Sequence, residues 1–315
     1  SAILLDIVMP KMDGFEVLNV MERKHLIEDI PVIMISSEDS DVYVRRAYEL
    51  GVSDYISRPF DAKVVYQRVF NTIKLYAKQR RLSTLIGDQI YEKEKNNRMM
   101  ITILSHIVEF RNGESGMHVL HINRLTEKIL ECLVQKTDRY HLSYSDRYLI
   151  TTASALHDIG KIGIDDKILN KPGKLTKDEF EIIKTHTLIG ARMLEDMEVY
   201  KNEPLVKMAY QICRWHHERY DGKGYPFGAK ADEIPIGARI IAVCDSIDAM
   251  ASARAYRKAL PLDIVRNEIE KNIGLMYDPA VAKKMLDNWS IIKEMYGHGE
   301  LCGECHFCHD NGEEI

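Results

Sequence analysis

The hydrophobic pattern of the chain changes its period near residue 77. Before that point, short apolar runs typical of buried parallel strands alternate with segments of helical spacing. The strand-like runs are "AILLDIVMP", "PVIMISS" and "VSDYIS", and the helical segments are "DGFEVLNVMERK" and "DVYVRRAYELG". From Met99 to Tyr296 the apolar residues recur about every 3.6 positions, as on one face of a helix. The sequence therefore predicts an α/β domain built on a parallel sheet, followed by an all-helical domain.

A long helix is predicted to join the two domains. From Ala62 to about Arg98 the chain has no proline, and an apolar stripe runs from Val65 to Ile90. Such a stripe is suited to pairing with its copy in a second chain as a short parallel coiled coil, which predicts a homodimer. Packing of the same stripe against the chain's own helical domain is the alternative. The expected divisions are a first domain 1–77, a linker helix 78–98, a helical domain 99–297 and a tail 298–315.

Composition and charge exclude several classes of protein. The chain has 315 residues, a formal net charge of −5 and a pI near 6.2, so it has no basic footprint for a nucleic acid polymer. No apolar run approaches the ~20 residues that span a bilayer, and no signal sequence is visible. These features predict a cytoplasmic protein that does not enter the membrane. Cys132, Cys213 and Cys244 stand alone in helical or apolar surroundings and are expected to be reduced thiols.

Histidines and carboxylates recur within the otherwise apolar helical segments. They are Glu114 and His118 in "GESGMH", His157 and Asp158 in "SALHDIGKIGI", His186 in "KTHTLIG", His216 and His217 in "WHHERYDGKGYP", and Asp245 and Asp248 in "AVCDSIDAM". Adjacent helical residues point about 100° apart, so His216 and His217 must reach different partners. Burying so many ionisable groups alone costs several kcal/mol each, a cost that metal ions remove. Mixed imidazole and carboxylate donors suit iron, manganese or zinc, and a carboxylate such as Asp158 can bridge two ions.

The pair His157-Asp158, followed by Gly160-Lys161 and by "HHERYDGKGYP", resembles the signature of the HD-GYP phosphohydrolases. Members of that family hydrolyse the bacterial second messenger cyclic di-GMP. The resemblance covers about residues 99–282 and implies catalytic roles for His157, Asp158 and Lys161. It also implies two or three divalent ions, iron or manganese. The ligands implied are Glu114, His118, His157, Asp158, His186, His216, His217 and Asp245.

The same resemblance implies a set of substrate contacts. Lys161 matches the lysine that contacts the scissile phosphate, and Asp248 matches its acidic neighbour. Tyr225 is expected at the rim of the pocket, near the substrate. The stretch "ASARAYRKAL" matches the segment whose basic residues grip the second phosphate, which assigns that role to Arg254 and Arg257.

The stretch "LLDIVMPKMDGFEVL" resembles the phosphoacceptor strand and loop of response-regulator receiver domains, whose fold is flavodoxin-like. The resemblance implies Asp6 as the phosphorylated residue, Ser36 as a hydroxyl switch, Tyr55 as an aromatic switch, and a sensor histidine kinase as partner. Arg58 stands where the family has lysine, and it keeps the charge without the compact ammonium group. Because the sequence begins at the phosphoacceptor strand, we expect a fragment of a longer protein that lacks the first strands and is phosphorylated inefficiently. The strand at Asp6 would then be an exposed apolar edge.

The tail "CGECHFCHDNGEEI" is rich in potential metal ligands. Two C-x-x-C steps with neighbouring histidines predict a zinc or iron–sulfur site. The candidate ligands are Cys302, Cys305, Cys308 and His309. A reduced tail without metal and a c-type haem attachment at "CHFCH" are the alternatives.

The function that the sequence favours is a metal-dependent phosphodiesterase that opens cyclic di-GMP to pGpG and/or GMP, as the output domain of a response regulator. A catalytically silent cyclic-dinucleotide sensor or scaffold is one alternative, although it would not need a complete ligand set. An HD hydrolase of another phosphoester, such as a mixed cyclic dinucleotide, is the other. Turnover of cyclic di-GMP by purified protein with Mn²⁺ or Fe²⁺ distinguishes the phosphodiesterase from a silent sensor. A panel of substrates distinguishes it from a hydrolase of another phosphoester.

Overall fold

In a computed structural model of the chain, the described residues are 2–37, 40–111, 117–136, 140–252 and 258–297. The chain divides into two compact units, Ser1–Lys95 and Asn96–Ile315. Each unit has a hydrophobic core of its own.

The first unit contains a three-stranded parallel sheet with the strand order β1-β2-β3. The strands are β1 Ile3–Asp6, β2 Val32–Ser36 and β3 Asp54–Ser57, and the intervening helices are α1 Gly14–Arg23 and α2 Asp41–Glu49. The register pairs Asp6 with Ile35 and Ser36 with Ser57, so the carboxyl ends of the strands meet at one end of the sheet. The predicted parallel sheet is confirmed, and β1 lies at an edge with Leu4 52% exposed.

These elements follow from their local sequences. β2 is a continuous apolar run whose Val32 and Met34 are fully buried, as expected for a parallel strand covered on both faces. α1 begins with a capping box between Asp13 and Glu16, and it buries Leu18 in the core of this unit.

The long helix α3 extends over Ala62–Arg111 and so continues beyond its predicted end near Arg98. The additional segment contains neither glycine nor proline, and nothing in its sequence interrupts the helix. Ser105, Val108 and Glu109 on its last turns are buried. The apolar side chains of Leu82 and Ile86, in contrast, are 50% and 57% exposed.

The described part of the second unit contains helices and no strand, as predicted, with only isolated bridges between Asp221 and Lys230 and between Ile273 and Tyr277. The helices are α4 Met117–Lys136, α5 Tyr144–Ser154, α6 Asp166–Leu169, α7 Lys177–Lys184, α8 His186–Glu195, α9 Pro204–Trp215, α10 Ile236–Ala251, α11 Leu262–Lys271, α12 Pro279–Asp287 and α13 Trp289–Gly297, with 3₁₀ helices at Ile159–Gly163 and Ala231–Glu233. Among the described residues, no helix combines the length and the apolar character needed to cross a bilayer.

The core of the second unit lies among α4, α5, α9 and α10. Ile122, Ile150, Ile212, Ile240 and Ile247 are all fully buried there. This apolar packing fixes the four helices that carry or adjoin the predicted metal ligands.

Candidate metal centre

The predicted ligands that the structure describes lie at or near helix ends and on α10. His157 and Asp158 follow α5 and precede the 3₁₀ helix Ile159–Gly163, and His186 begins α8. These two elements touch at Gly160, where an added Cβ would lie 1.9 Å from the carbonyl oxygen of His186. The remaining described ligands are His118 at the start of α4, His216 and His217 after α9, and Asp245 on α10.

Four of these residues form a first cluster: Asp158, His186, His216 and His217. Their ligand atoms all lie within 4.8 Å of one another. Asp158 Oδ1 lies 3.2 Å from His186 Nε2 and 3.7 Å from His216 Nε2, and the two Nε2 atoms are 3.4 Å apart. The ring of His217 packs on that of His216, with the centroids 4.1 Å apart. Atoms bound to one ion at ~2.0–2.2 Å lie ~3–4 Å from one another, so the first cluster has the dimensions of a metal site.

His118, His157 and Asp245 form a second cluster within the same limit. His118 Nε2 lies 3.7 Å from Asp245 Oδ1, and the centroids of the His118 and His157 rings are 5.4 Å apart. Asp158 faces both clusters, because its Oδ2 lies 3.3 Å from His157 Nε2 while its Oδ1 faces His186. This is the position expected of a carboxylate that bridges two ions.

Backbone carbonyls orient three of the histidine rings through their Nδ1 atoms. The acceptors are Ser154 O for His157 at 2.8 Å, Ile183 O for His186 at 2.6 Å, and Ile212 O and Cys213 O for His216 at 3.0 and 3.1 Å. Since Nδ1 carries the hydrogen, Nε2 of each neutral ring keeps its lone pair and presents it to the clusters.

The lone pairs that face one another indicate a cation. His186 and His216 point their Nε2 atoms at each other across 3.4 Å, and Asp158 Oδ1 lies beside both. Acceptors that converge in a buried position repel one another unless a positive charge lies among them. In the second cluster, the buried Nε2 of His118 has no hydrogen-bond partner among the described residues. The residues present therefore fit bound metal ions.

The electrostatics of the centre also favour positive charge. Burial and the neighbouring His216 ring hold the pKa of His217 well below its usual value, so its imidazole is neutral. Burial opposes the charge of Asp158, but the Lys161 ammonium, 2.6 Å from Oδ2, and His157 hold the pKa of Asp158 well below its usual range. Burial likewise opposes a charge on His157, yet the Asp158 carboxylate raises the pKa of His157 to about 9. Carboxylates that attract a proton to this place also attract a metal cation.

Asp248 supports His118 from the side opposite the second cluster. It is 1% exposed, and its two oxygens accept hydrogen bonds at 2.6 Å from Nδ1 of His118 and Nδ1 of His121. The hydroxyls of Tyr296 and Ser252 donate to it at 2.6 and 2.8 Å. Burial opposes its charge, but the hydrogen bonds from His118 and His121 hold the pKa of Asp248 far below its usual range. The structure thus places Asp248, predicted as a substrate contact, where it orients a ligand ring.

Glu218 holds the loop that follows the two adjacent histidines. The carboxylate is buried and accepts three consecutive backbone N–H groups, those of residues 227–229, at 2.7, 3.1 and 3.0 Å. Gly224 must lack a side chain, because a Cβ would lie 2.3 to 2.6 Å from three backbone atoms. The loop returns Tyr225 onto His217, with ring centroids 4.8 Å apart and planes 26° apart. Tyr225 therefore lies beside the first cluster.

Several predicted site residues lie outside the described part of the chain. They are Glu114, Arg254, Arg257, Cys302, Cys305, Cys308 and His309. Their proposed roles continue to rest on the sequence.

In the first unit, Asp6 ends β1 and Arg58 follows β3. The Arg58 guanidinium lies 3.2 Å from Asp6 Oδ2, so the arginine that stands in place of the family's lysine pairs with the predicted phosphoacceptor. The two predicted switch residues are both buried. Ser36 ends β2, which pairs with β1, and Tyr55 lies on β3, which pairs with β2. The carboxylate of Asp6 remains partly exposed.

The structure adds three residues that the sequence analysis did not single out. His121 and Tyr296 complete the hydrogen bonds of Asp248, and Glu109 is buried with Oε1 3.8 Å from His118 Nε2. The spacing of His121, three positions after His118, was a usable signal, because such residues share a helix face. Tyr296 and Glu109 gave no comparable signal in the sequence.

Each of the two units matches a known protein family. Residues 114–281 match the HD domain family, and residues 1–70 match the response regulator receiver domain family. The chain is 34% identical over 295 residues to a probable cyclic di-GMP phosphodiesterase of Vibrio cholerae, covering 90% of this chain and 67% of that protein. It is 33% identical over 309 residues to a cyclic di-GMP phosphodiesterase of Thermotoga maritima, covering 93% and 80%.

A third relative is named both as a phosphodiesterase and as a response regulator. The chain is 32% identical over 302 residues to the cyclic di-GMP phosphodiesterase response regulator RpfG of Xanthomonas campestris, covering 94% of this chain and 77% of that protein. These matches include the receiver and the HD domain together. The chain therefore belongs to the HD-GYP family of metal-dependent cyclic di-GMP phosphodiesterases, as a member whose HD domain is the output of a response regulator.

Proposed function

We propose that this chain hydrolyses cyclic di-GMP at the centre around Asp158, giving pGpG and/or GMP. The observation that carries the proposal is the pair of Nε2 atoms of His186 and His216, which face each other across 3.4 Å beside that carboxylate. A silent sensor does not need buried acceptors arranged to hold a cation. The similarity to cyclic di-GMP phosphodiesterases over most of the chain supports the choice of substrate.

The proposed cofactors are two or three divalent ions, iron or manganese. The proposed ligands are His186, His216 and His217 in the first cluster, His118, His157 and Asp245 in the second, Asp158 between them, and Glu114 for a third ion. Imidazole and carboxylate together suit iron and manganese better than magnesium or calcium, which prefer oxygen donors alone.

Bound divalent ions supply the Lewis acidity that activates water and offsets charge in phosphoester hydrolysis. Lys161 contributes a fixed positive charge at the same place, because its Nζ lies 2.6 Å from Asp158 Oδ2. An ammonium so close to the shared carboxylate stabilises the charge that develops on the scissile phosphate. Tyr225 forms part of the pocket wall beside the first cluster, and Arg254 and Arg257 hold the second phosphate. Asp248 acts indirectly, by keeping Nε2 of His118 directed at the second cluster.

The test is hydrolysis of cyclic di-GMP by anaerobically purified protein loaded with Mn²⁺ or Fe²⁺, with products separated by chromatography and metal content measured on the same sample. His157→Ala and Asp158→Ala should each abolish turnover and lower the metal content. His106→Ala, at an exposed position on α3, serves as the control and should leave both unchanged. Turnover at the wild-type rate by His157→Ala, with metal content unchanged, would refute the assignment.

A substrate panel decides between cyclic di-GMP and other phosphoesters. The proposal predicts a higher kcat/KM for cyclic di-GMP than for a mixed cyclic dinucleotide or a linear diester. A preference for the mixed cyclic dinucleotide would leave the proposed metal centre unchanged, but it would refute cyclic di-GMP as the preferred substrate.

We also propose that Asp6 accepts phosphate from a sensor histidine kinase. Its carboxylate ends β1 and is paired at 3.2 Å with Arg58, which stands where the family has lysine. The proposed domains are the receiver 1–77, the linker helix 78–98, the HD-GYP domain 99–297 and the tail 298–315. A zinc or iron–sulfur site in the tail is part of the same proposal.

The proposed assembly is a homodimer that pairs α3 with its copy. Leu82, Ile86 and Ile90 present large apolar side chains to solvent at four-residue spacing, which is the surface a parallel helix pair buries. In such a dimer, a change in the receiver would alter the angle or the register of the paired α3 helices. Coupling of this kind is typically ~1–3 kcal/mol, enough to modulate turnover.

A further inference from the structure

Arg111, the last residue of α3, contacts the segment that carries Lys161. Its guanidinium donates to the carbonyl oxygen of Ile162 and, at 3.0 Å, to that of Ile164. Both carbonyls lie at the carboxyl end of the 3₁₀ helix Ile159–Gly163. The last carbonyls of a helix have no N–H partner within it, and basic side chains can satisfy them. Arg111 therefore caps the short helix on which Lys161 lies.

Further contacts fix Arg111 itself. Asn170 Nδ2 donates to its carbonyl oxygen at 3.0 Å, and its own Nε lies 2.9 Å from Asp166 Oδ1. The Asp166 side chain is 64% exposed, so this ion pair contributes little to the attachment. Hydrogen bonds from a charged guanidinium to the two carbonyls are stronger than neutral ones. They therefore make the main connection between the end of α3 and the 3₁₀ helix.

The 3₁₀ helix also packs closely against α8. A Cβ at Gly160 would lie 1.9 Å from a carbonyl oxygen of α8, and a Cβ at Gly163 would lie 2.8 Å from Ile189 Cγ2. Lys161 lies between these two glycines, and its Nζ reaches Asp158 Oδ2 at 2.6 Å. Close packing prevents the two helices from approaching further, but it does not itself hold the 3₁₀ helix in place. Hydrogen bonds from the end of α3 supply that restraint.

We propose that Arg111 is a positioning residue, which keeps Nζ of Lys161 beside Asp158 and the scissile phosphate. The inference rests on the proposed function, because it takes the role of Lys161 from there. In this role Arg111 acts through Lys161 and does not itself contact the reacting atoms. A displacement of about 1 Å in a group that acts on the transition state can reduce turnover ~100-fold.

The test combines a double-mutant cycle with hydrogen exchange. Arg111→Ala should lower kcat and kcat/KM for cyclic di-GMP by about the same factor, ~10–100-fold, with Mn²⁺ content unchanged. In a Lys161→Ala background the same substitution should cost less than ~3-fold, because the group that Arg111 positions is absent. The backbone amides of residues 161–164 should exchange ~10-fold faster in Arg111→Ala, because two hydrogen bonds that restrain this segment are lost.

A second arginine on α3 provides the matched control. Arg98 Nη1 lies 3.5 Å from Glu127 Oε1, and its guanidinium lies 4.9 Å from the centroid of the Tyr148 ring. Arg98→Ala should change neither kcat nor exchange in residues 161–164. Arg111→Lys keeps the charge but has no planar fork for two carbonyls, so its kcat should fall between those of wild type and Arg111→Ala. If Arg111→Ala does not fold, Arg111→Lys carries the same comparisons.

Each outcome has a separate meaning. Wild-type kcat in Arg111→Ala, or unchanged amide exchange in residues 161–164, would overturn the inference. So would an equal loss of activity with and without the Lys161 side chain, or a loss of metal in proportion to activity, because either would show that Arg111 does not act through Lys161. Absence of turnover by metal-loaded wild-type protein would instead refute the proposed function, whatever the exchange measurement shows.

Discussion

Replacing Gly160 with alanine should empty the metal centre and reduce turnover by ~100-fold or more, although Gly160 has no side chain to contribute. The 3₁₀ helix that carries Gly160 follows Asp158 directly and passes against the start of α8. A Cβ at this position would lie 1.9 Å from His186 O and 2.5 Å from Gly190 N. All the nearest atoms belong to the backbone, so no side chain can rotate away to make room.

The size of the effect follows from these distances. Carbon and oxygen in contact are ~3.4 Å apart, so the two segments must separate by about 1.5 Å to accept the methyl group. Metal sites tolerate ligand displacements of only ~0.2 Å, and Asp158 and His186 lie on opposite sides of the junction. Overpacking of this kind also destabilises a protein by about 1–3 kcal/mol. Metal affinity and stability should therefore fall together.

The assay measures metal content, hydrolysis of cyclic di-GMP and the midpoint of urea unfolding for three glycine variants. Gly190→Ala should be milder than Gly160→Ala, because its Cβ would lie 3.1 Å from Gly160 N and requires a shift of a few tenths of an ångström. Gly87→Ala, on α3 with nothing within 4 Å of the added Cβ, should be neutral or stabilise by up to about 1 kcal/mol. A folded Gly160→Ala protein with full metal content and turnover within threefold of wild type would refute the reasoning.

Three further predictions concern different parts of the chain. Lys161→Ala should keep the metal ions and lose about 100-fold in turnover, because it removes a charge at the scissile phosphate; loss of metal in proportion to activity would contradict this role. Glu218→Ala should lower the free energy of unfolding by about 1–3 kcal/mol, since three backbone N–H groups lose their acceptor, and an unchanged urea midpoint would disprove it. Leu82→Glu together with Ile86→Glu should convert a dimer into a monomer in sedimentation experiments. A wild-type monomer, or a variant that remains dimeric, would exclude the proposed pairing of α3.

The sequence alone predicted those structural features that depend on a single local pattern of residues. Runs such as "PVIMISS" could be assigned to strands because parallel strands are apolar throughout, and β2 has the predicted position. The cluster around Asp158 could be anticipated because histidines are rare within apolar helices unless they bind something. The end of α3 could not be located, because residues 99–111 offer neither a glycine nor a proline to mark it.

Roles that depend on how one helix is rotated against another could not be read from the sequence. Asp245 and Asp248 lie three positions apart on α10 and share one face, so their spacing does not distinguish them. The family resemblance named Asp245 as a metal ligand and Asp248 as a substrate contact, but it did not predict the support that Asp248 gives His118. The structure separates them, since Asp248 is enclosed by donors and Asp245 belongs to the second cluster. Glu109 was missed for the same reason. An acid near a helix end is usually solvated, and only the packing of α3 shows that this one is buried.

The wide separation of the ligands along the chain has a consequence for the lifetime of the protein. His118 and its partner Asp248 are 130 positions apart, and the other members of the two clusters fall between them, so bound ions tie together distant parts of one polypeptide. An ion present at a thousand times its Kd raises the free energy of unfolding by about 4 kcal/mol if the unfolded chain does not bind it. Proteases that cut the unfolded chain would then degrade metal-starved molecules first. Metal supply would thereby determine how many copies persist in the cell, in addition to how fast each copy works.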